Sequence, residues 1–264
     1  MGSGITTFNY AEAAKLLLER SYPEIYNGTQ HGPIFIPETF LPTYTRAVDP
    51  DKFREKLKQF QSTGGINQKS FNDELGRFKG AFAERIFFDE LQRVLNLRRS
   101  GSVCLNGSTI LSPNVLKSGS QQECDFLIIN KNHKYIMSLE IKFNLESYSS
   151  EYKPTVEKAL EQLSKIKRIL ETFFSNDIDI SKWRFVGVLG YVEMSDHVRC
   201  CSDCSPFVIK ISELNDLFNK IEADFGKVKA DDDKDYKLMI RNLLYTIFSN
   251  PGPIVRSKVD EVSK

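Results

Sequence analysis

Two strand-like runs flank a helix-like one, and this order constrains the fold more than any other feature of the chain. The run at 134–143, KYIMSLEIKF, alternates apolar and polar residues at its end, as a strand with two unlike faces does. The run at 183–192, WRFVGVLGYV, is almost continuously apolar, as a strand covered on both sides should be. Between them lies PTVEKALEQLSKIKRILETFF, with helical character and Pro154 near its start. A helix between two strands is a crossover. The expected class is therefore α/β: a central mixed sheet with helices on its faces.

The neighbouring segments extend this pattern. ECDFLIIN at 123–130 reads as a strand, joined by the turn KNH to the run at 134–143, so antiparallel pairing is the simple arrangement. SFNDELGRFKGAFAERIFFDELQRVLN at 70–96 reads as a long helix with Ser70 or Asn72 as its N-cap. A short strand near 103–105 and a polar loop through Ser120 follow it. Towards the N-terminus, YAEAAKLLLERS at 10–21 reads as a short amphipathic helix. The stretch holding Pro23, Pro33, Pro37, Pro42 and Pro50 reads as loop or irregular packing. A further helix is expected from Asp51, ended by Gly64 and Gly65. Towards the C-terminus come a strand at 207–211, a helix from Ser212, a charged linker at 226–235, a helix at 236–249 and a disordered tail after Pro251. The expected division is an N-terminal helical or irregular extension (1–65), a core (66–210) and a C-terminal helical extension (211–264).

Charge excludes one simple route to function. The 264 residues carry 36 basic and 35 acidic side chains, a net charge of +1, so no overall field draws the protein to a polyanion and any such contact needs a local patch. Five cysteines without a regular framework argue against a disulfide-stapled secreted domain. No signal-peptide pattern and no bilayer-length apolar run is present, so a reducing intracellular compartment, nuclear or cytoplasmic, is expected. The opening MGSGIT fits the short N-myristoylation pattern at Gly2 and Thr6, and equally fits a cloning remnant.

The polar face of the run at 134–143 carries the candidate chemistry. Strand periodicity puts Glu140 and Lys142 on one face, and antiparallel pairing would bring Asp125 beside them. Two close carboxylates repel unless a cation lies between them, and carboxylate oxygens with a backbone carbonyl and waters suit Mg²⁺ or Mn²⁺. The Ile141 carbonyl is a natural further ligand, and the Lys142 ammonium can orient a water or stabilise charge on a phosphate. The other reading is an ordinary surface ion pair. Glu84 shares a helical stripe with Ala81, Phe87, Phe88 and Leu91, where an ionised carboxylate needs a partner, a metal or a route to water.

In this order, Glu84 in GAFAERIFFDEL, Asp125 in ECDFLII, and Glu140 and Lys142 in SLEIKF resemble the PD-(D/E)xK nuclease superfamily, over about residues 70–192. The look is closest to its NERD-like and resolvase-like branches. The resemblance implies a restriction-endonuclease-like αβββαβ core and metal-dependent hydrolysis of phosphodiester bonds, with DNA favoured over RNA and endonuclease over exonuclease. It implies Asp125, Glu140 and the Ile141 carbonyl as ligands to Mg²⁺ or Mn²⁺. Lys142 would position the attacking water, and Glu84 would hold a second ion or a metal-bound water. Gln162 stands where many relatives carry a helix glutamine and is an auxiliary candidate. The sequence departs from the pattern at Glu123-Cys124, where a proline before the aspartate is frequent, and at Ile166, where some branches have tyrosine. Pairing of two copies to cut two strands is a further expectation. The alternative function is an inactive nuclease-fold module that binds nucleic acid or protein.

Two weaker signals complete the reading. Lys153, Lys158, Lys165, Lys167 and Arg168 could track a phosphate backbone, or form a solvated helix face. His197, Cys200, Cys201 and Cys204 hold a Cys-x-x-Cys with a nearby histidine, the beginning of a zinc site, but lack a second ligand pair; unpaired loop thiols are the other reading.

Overall fold

The computed structural model describes residues 10–36, 55, 58, 68–111, 122–145, 153–175, 177–194, 206–227 and 233–249. Their centre is a six-stranded mixed sheet in sequential order: β1 (Ile34–Ile36), β2 (Ser102–Leu111), β3 (Gln122–Asn130), β4 (Tyr135–Leu145), β5 (Arg184–Met194) and β6 (Phe207–Lys210). The pairs β2–β3 and β3–β4 are antiparallel, whereas β1–β2, β4–β5 and β5–β6 are parallel. The helices are α1 (Tyr10–Ser21), α2 (Pro23–Tyr26), α3 (Gln68–Leu97), α4 (Lys153–Phe174), α5 (Leu214–Phe225) and α6 (Asp233–Ser249). The expected crossover is β4–α4–β5.

Both faces of the sheet are covered. On one face Ile136 and Leu127 pack with Ile166 and Leu170 of α4, Ala14 and Leu18 of α1, and Met239 and Leu243 of α6. On the other, Met137 and Val188 pack with Phe87 and Leu91 of α3 and with Leu217 and Phe218 of α5. Each strand of the β3–β5 centre thus contributes alternate residues to two dry layers, which is the main stabilising term of such a fold. Residues from both terminal segments, Ile36 of β1 and Tyr236 of α6 among them, share the first of these cores.

Close approach of α3 depends on one glycine. A Cβ on Gly190 would lie 2.6 Å from the Phe87 ring and 2.9 Å from Ile141 Cδ1. Its absence lets Phe87 seat against β4 and β5, and this fixes the height of Glu84 one turn earlier on the helix. At the far end of the sheet a buried polar network locks the β3–β4 turn. Asn130 Nδ2 donates to the hydroxyls of Ser100 and Ser102, and Asn130 Oδ1 accepts from the His133 N–H.

Several expectations need correction. The proline-rich stretch contains β1: Ile34–Ile36 pairs with β2 between Pro33 and Pro37, and an edge strand tolerates the missing donors. β2 runs on through NGSTIL, part of the expected loop, because one extra residue is absorbed between Asn106 and Thr109 as the register shifts. Ser70 and Asn72 lie inside α3, which starts at Gln68. The β6 strand ends at Lys210, a single 3₁₀ turn then precedes α5, and α6 takes in part of the charged linker. Of the helix expected from Asp51, Glu55 and Lys58 are helical, and the rest lies outside the described residues, as does the tail after Pro251.

Candidate active site

The β3–β4 hairpin brings the strand carboxylates together. The main-chain pairing of β3 and β4 ends at Phe126 and Leu139, and just beyond it Asp125 lies close enough to Glu140 for the two charges to interact. There the main-chain ladder gives way to a side chain: Asp125 Oδ2 accepts the N–H of Ile141 at 2.6 Å. Within a strand, one residue's N–H and C=O point to the same side. The Ile141 carbonyl therefore faces the β3 side as well, beside Asp125.

Glu140 is 4 % exposed, so its charge needs partners. It has two. Lys142, two residues on and on the same face, places Nζ 2.6 Å from Oε1, and Gln162 of α4 donates from Nε2 to Oε2 at 3.0 Å. Gln162 reaches the strand because Ala159, Leu163 and Ile166 are buried against the sheet and carry it inward with them. Tyr191 of β5 stands next to Lys142 in the parallel register and is buried on that face.

Glu84 enters from the α3 side. It is half-buried, and its negative charge acts on both Asp125 and Lys142. Burial pushes the Asp125 carboxyl well above the usual carboxylate range, and the charges of Glu140 and Glu84 push it further; the Ile141 N–H and the Lys142 ammonium oppose them and lose. Asp125 nevertheless keeps part of its surface open to solvent. Burial works against the Lys142 ammonium, but Glu140, Asp125 and Glu84 outweigh it and raise its pKa. The buried Cys124 thiol is also held well above its ordinary value, by burial and then by Asp125 and Glu140.

The charge pattern suits a small hard cation. With Glu84, Asp125, Glu140 and Lys142 all ionised, three negative charges face one positive charge, and burial penalises that excess at Asp125. A divalent ion would balance it, and oxygen donors suit Mg²⁺ or Mn²⁺, which are held by one or two carboxylates with water completing the shell. Among the described residues, no three of His, Cys, Asp and Glu are grouped closely enough to hold an ion. The donors that the resemblance implies for such an ion are Asp125, Glu140 and the Ile141 carbonyl, with Glu84 holding a second ion or a metal-bound water.

The remaining expected site residues divide. Lys165, Lys167 and Arg168 are exposed on α4, away from the buried stripe that carries Gln162. Lys167 pairs with Glu171 at 3.8 Å, and with Ser164, Arg168, Phe185 and Pro206 it lines a groove of about 320 Å³. The side chains of Lys153 and Lys158, and all of His197, Cys200, Cys201 and Cys204, lie outside the described residues. Phe82, Phe143 and Lys79 pack on one another, a grouping of α3 and β4 residues that the sequence reading did not single out.

The chain matches no protein-family model, no curated protein and no solved structure. No helix among the described residues is long and apolar enough to cross a membrane.

Proposed function

We propose that the protein is a divalent-metal-dependent nuclease of the PD-(D/E)xK type, with a restriction-endonuclease-like core, acting on DNA in preference to RNA and as an endonuclease. One observation carries this reading: Asp125, Glu140 and Lys142 converge at one sheet end, with Glu84 close enough to act on two of them.

In this reading each residue has a physical task. Asp125 is held by the Ile141 N–H, which fixes one oxygen and leaves the other for a ligand. Gln162 orients Glu140 through Oε2. Lys142 is drawn from Glu140 towards a water or the scissile phosphate, where its ammonium offsets charge developing on oxygen. A divalent ion, when bound, supplies Lewis acidity to the phosphate and makes a water nucleophilic at neutral pH. The water gives up a proton to solvent as its oxygen forms a bond to phosphorus, the ester P–O bond breaks in line, and the leaving oxygen takes up a proton from solvent.

A second reading is an inactive nuclease-fold module that binds nucleic acid or protein. It is favoured by one detail: both oxygens of Glu140 already accept donors from Lys142 and Gln162. The experiment that separates the two is incubation of the full chain with plasmid, linear duplex and single-stranded DNA, and with RNA, in Mg²⁺ and in Mn²⁺. Cleavage that needs the metal is the expected result. Intact substrates under every condition would overturn the nuclease reading.

A further inference from the structure

The two donors on Glu140 differ in kind. Gln162 reaches Oε2 from α4 at 3.0 Å and carries no charge, so it fixes the carboxylate without neutralising it. Lys142 brings the charge, with Nζ 2.6 Å from Oε1. The lysine side chain is 33 % exposed and that of Glu140 only 6 %, so the pair opens to water on the lysine's side. Asp125 and Glu84 act on the same ammonium. One mobile, part-exposed cation thus serves three carboxylates, the nearest of which is held still by a neutral neighbour.

A divalent ion that used Glu140 would compete for the oxygen the ammonium holds. Two cations at one carboxylate oxygen repel each other, and the lysine is the one that can leave: its flexible four-carbon stem lets the head swing into water while the stem stays in place. We propose that Lys142 is the resident counter-ion of the metal-free site, and that a divalent ion binds by exchange, displacing the ammonium from Glu140 Oε1. The proposal rests on the metal-dependent nuclease reading and adds an order of events to it. Lys142 is occupied until the ion arrives, and only then is it free for the phosphate. Removing the lysine should therefore act in opposite directions on two properties: cleavage is lost, and ion binding tightens.

The test is isothermal titration calorimetry of the full chain with Mn²⁺ alone, with circular dichroism of each variant. Lys142→Met keeps the stem and removes the charge. It should bind Mn²⁺ about tenfold more tightly than the wild type, the low end of what one neighbouring charge does to a carboxylate's proton affinity, since the lysine is part-exposed. Lys142→Gln should tighten binding too, whereas Lys142→Arg keeps the charge and should stay close to the wild type. Adding Glu140→Gln to Lys142→Met should remove the gain. A lysine with a merely structural role predicts the reverse, equal or weaker binding as the site loosens. Equal or weaker binding by folded Lys142→Met and Lys142→Gln, or a gain that persists with Glu140→Gln, would overturn the exchange. If the wild type cleaves nucleic acid in Mn²⁺ but Lys142→Met binds the ion no better, the exchange fails and the nuclease reading stands. If Lys142→Met gains affinity through Glu140 but no substrate is cut by the wild type, the exchange stands and the nuclease reading fails.

Discussion

Asp125 takes the place of a backbone rung: its carboxylate accepts the Ile141 N–H at 2.6 Å, just beyond the last main-chain pair of β3 and β4, Phe126 and Leu139. This single bond opens the sheet end, satisfies a donor that would otherwise be stranded, and aims the Ile141 carbonyl at the same space. It also holds a carboxylate where burial and two neighbouring negative charges disfavour it. The site thus stores unfavourable electrostatics in the folded protein.

Replacing that charge should separate stability from activity. Asp125→Asn keeps an oxygen for the Ile141 N–H and removes the repulsion, so the metal-free variant should be more stable by about 1 kcal/mol while cleavage is lost. Asp125→Leu strands the N–H and should instead cost about 1–3 kcal/mol. Urea titration of both variants checks the pair; a destabilised Asn variant would contradict the stored-repulsion account.

Lys142→Ala should abolish cleavage with the fold retained. It leaves the buried Glu140 without its cation, at a cost of about 1–2 kcal/mol once the part-exposed lysine is allowed for. Adding Glu140→Gln should recover that stability without recovering activity. Plasmid cleavage and thermal melts of the single and double variants supply the measurement. Undiminished cleavage by Lys142→Ala would remove the assigned mechanism.

Gln162→Ala should lower kcat about tenfold with little change in KM, because it frees Glu140 Oε2 rather than removing a substrate contact. The lost hydrogen bond should cost about 1 kcal/mol of stability. Steady-state kinetics checks the split: a change confined to KM would place Gln162 on the substrate instead.

Mg²⁺ or Mn²⁺ should raise the melting temperature of the wild type, by the equivalent of about 2.7 kcal/mol at a hundredfold excess over Kd. The increase should vanish in Asp125→Asn and in Glu140→Gln. Differential scanning calorimetry with and without the ion reads this independently of catalysis, and an equal increase in all three proteins would place the ion elsewhere.

Gly190→Ala tests how α3 is positioned. The added methyl would meet the Phe87 ring and Ile141, so a loss of about 1–3 kcal/mol is expected, together with weaker cleavage as Glu84 moves. Chemical denaturation and plasmid cleavage measured on the same preparation check both effects.

The elements of the sheet centre were legible because their signals are local. Alternation in SLEIKF, the apolar run in WRFVGVLGYV and the amphipathic helix between them specify two strands and a crossover. β1 was hidden because Ile34–Ile36 is too short to show a period and stands between prolines; only the exposed edge of β2 makes it a strand. The bulge between Asn106 and Thr109 was hidden for a related reason: which residue is left unpaired depends on the partner strand.

The candidate site divides along the same line. By itself the sequence determined that Glu140 and Lys142 share a strand face, since a two-residue period is a property of the backbone. The tertiary structure decided the rest. The β3–β4 hairpin brought Asp125 to the Ile141 N–H and beside Glu140, the burial of Ala159, Leu163 and Ile166 carried Gln162 to the Glu140 carboxylate, and the missing side chain of Gly190 let α3 bring Glu84 close. Those are relations between segments far apart in the chain, and packing, rather than local pattern, fixes them.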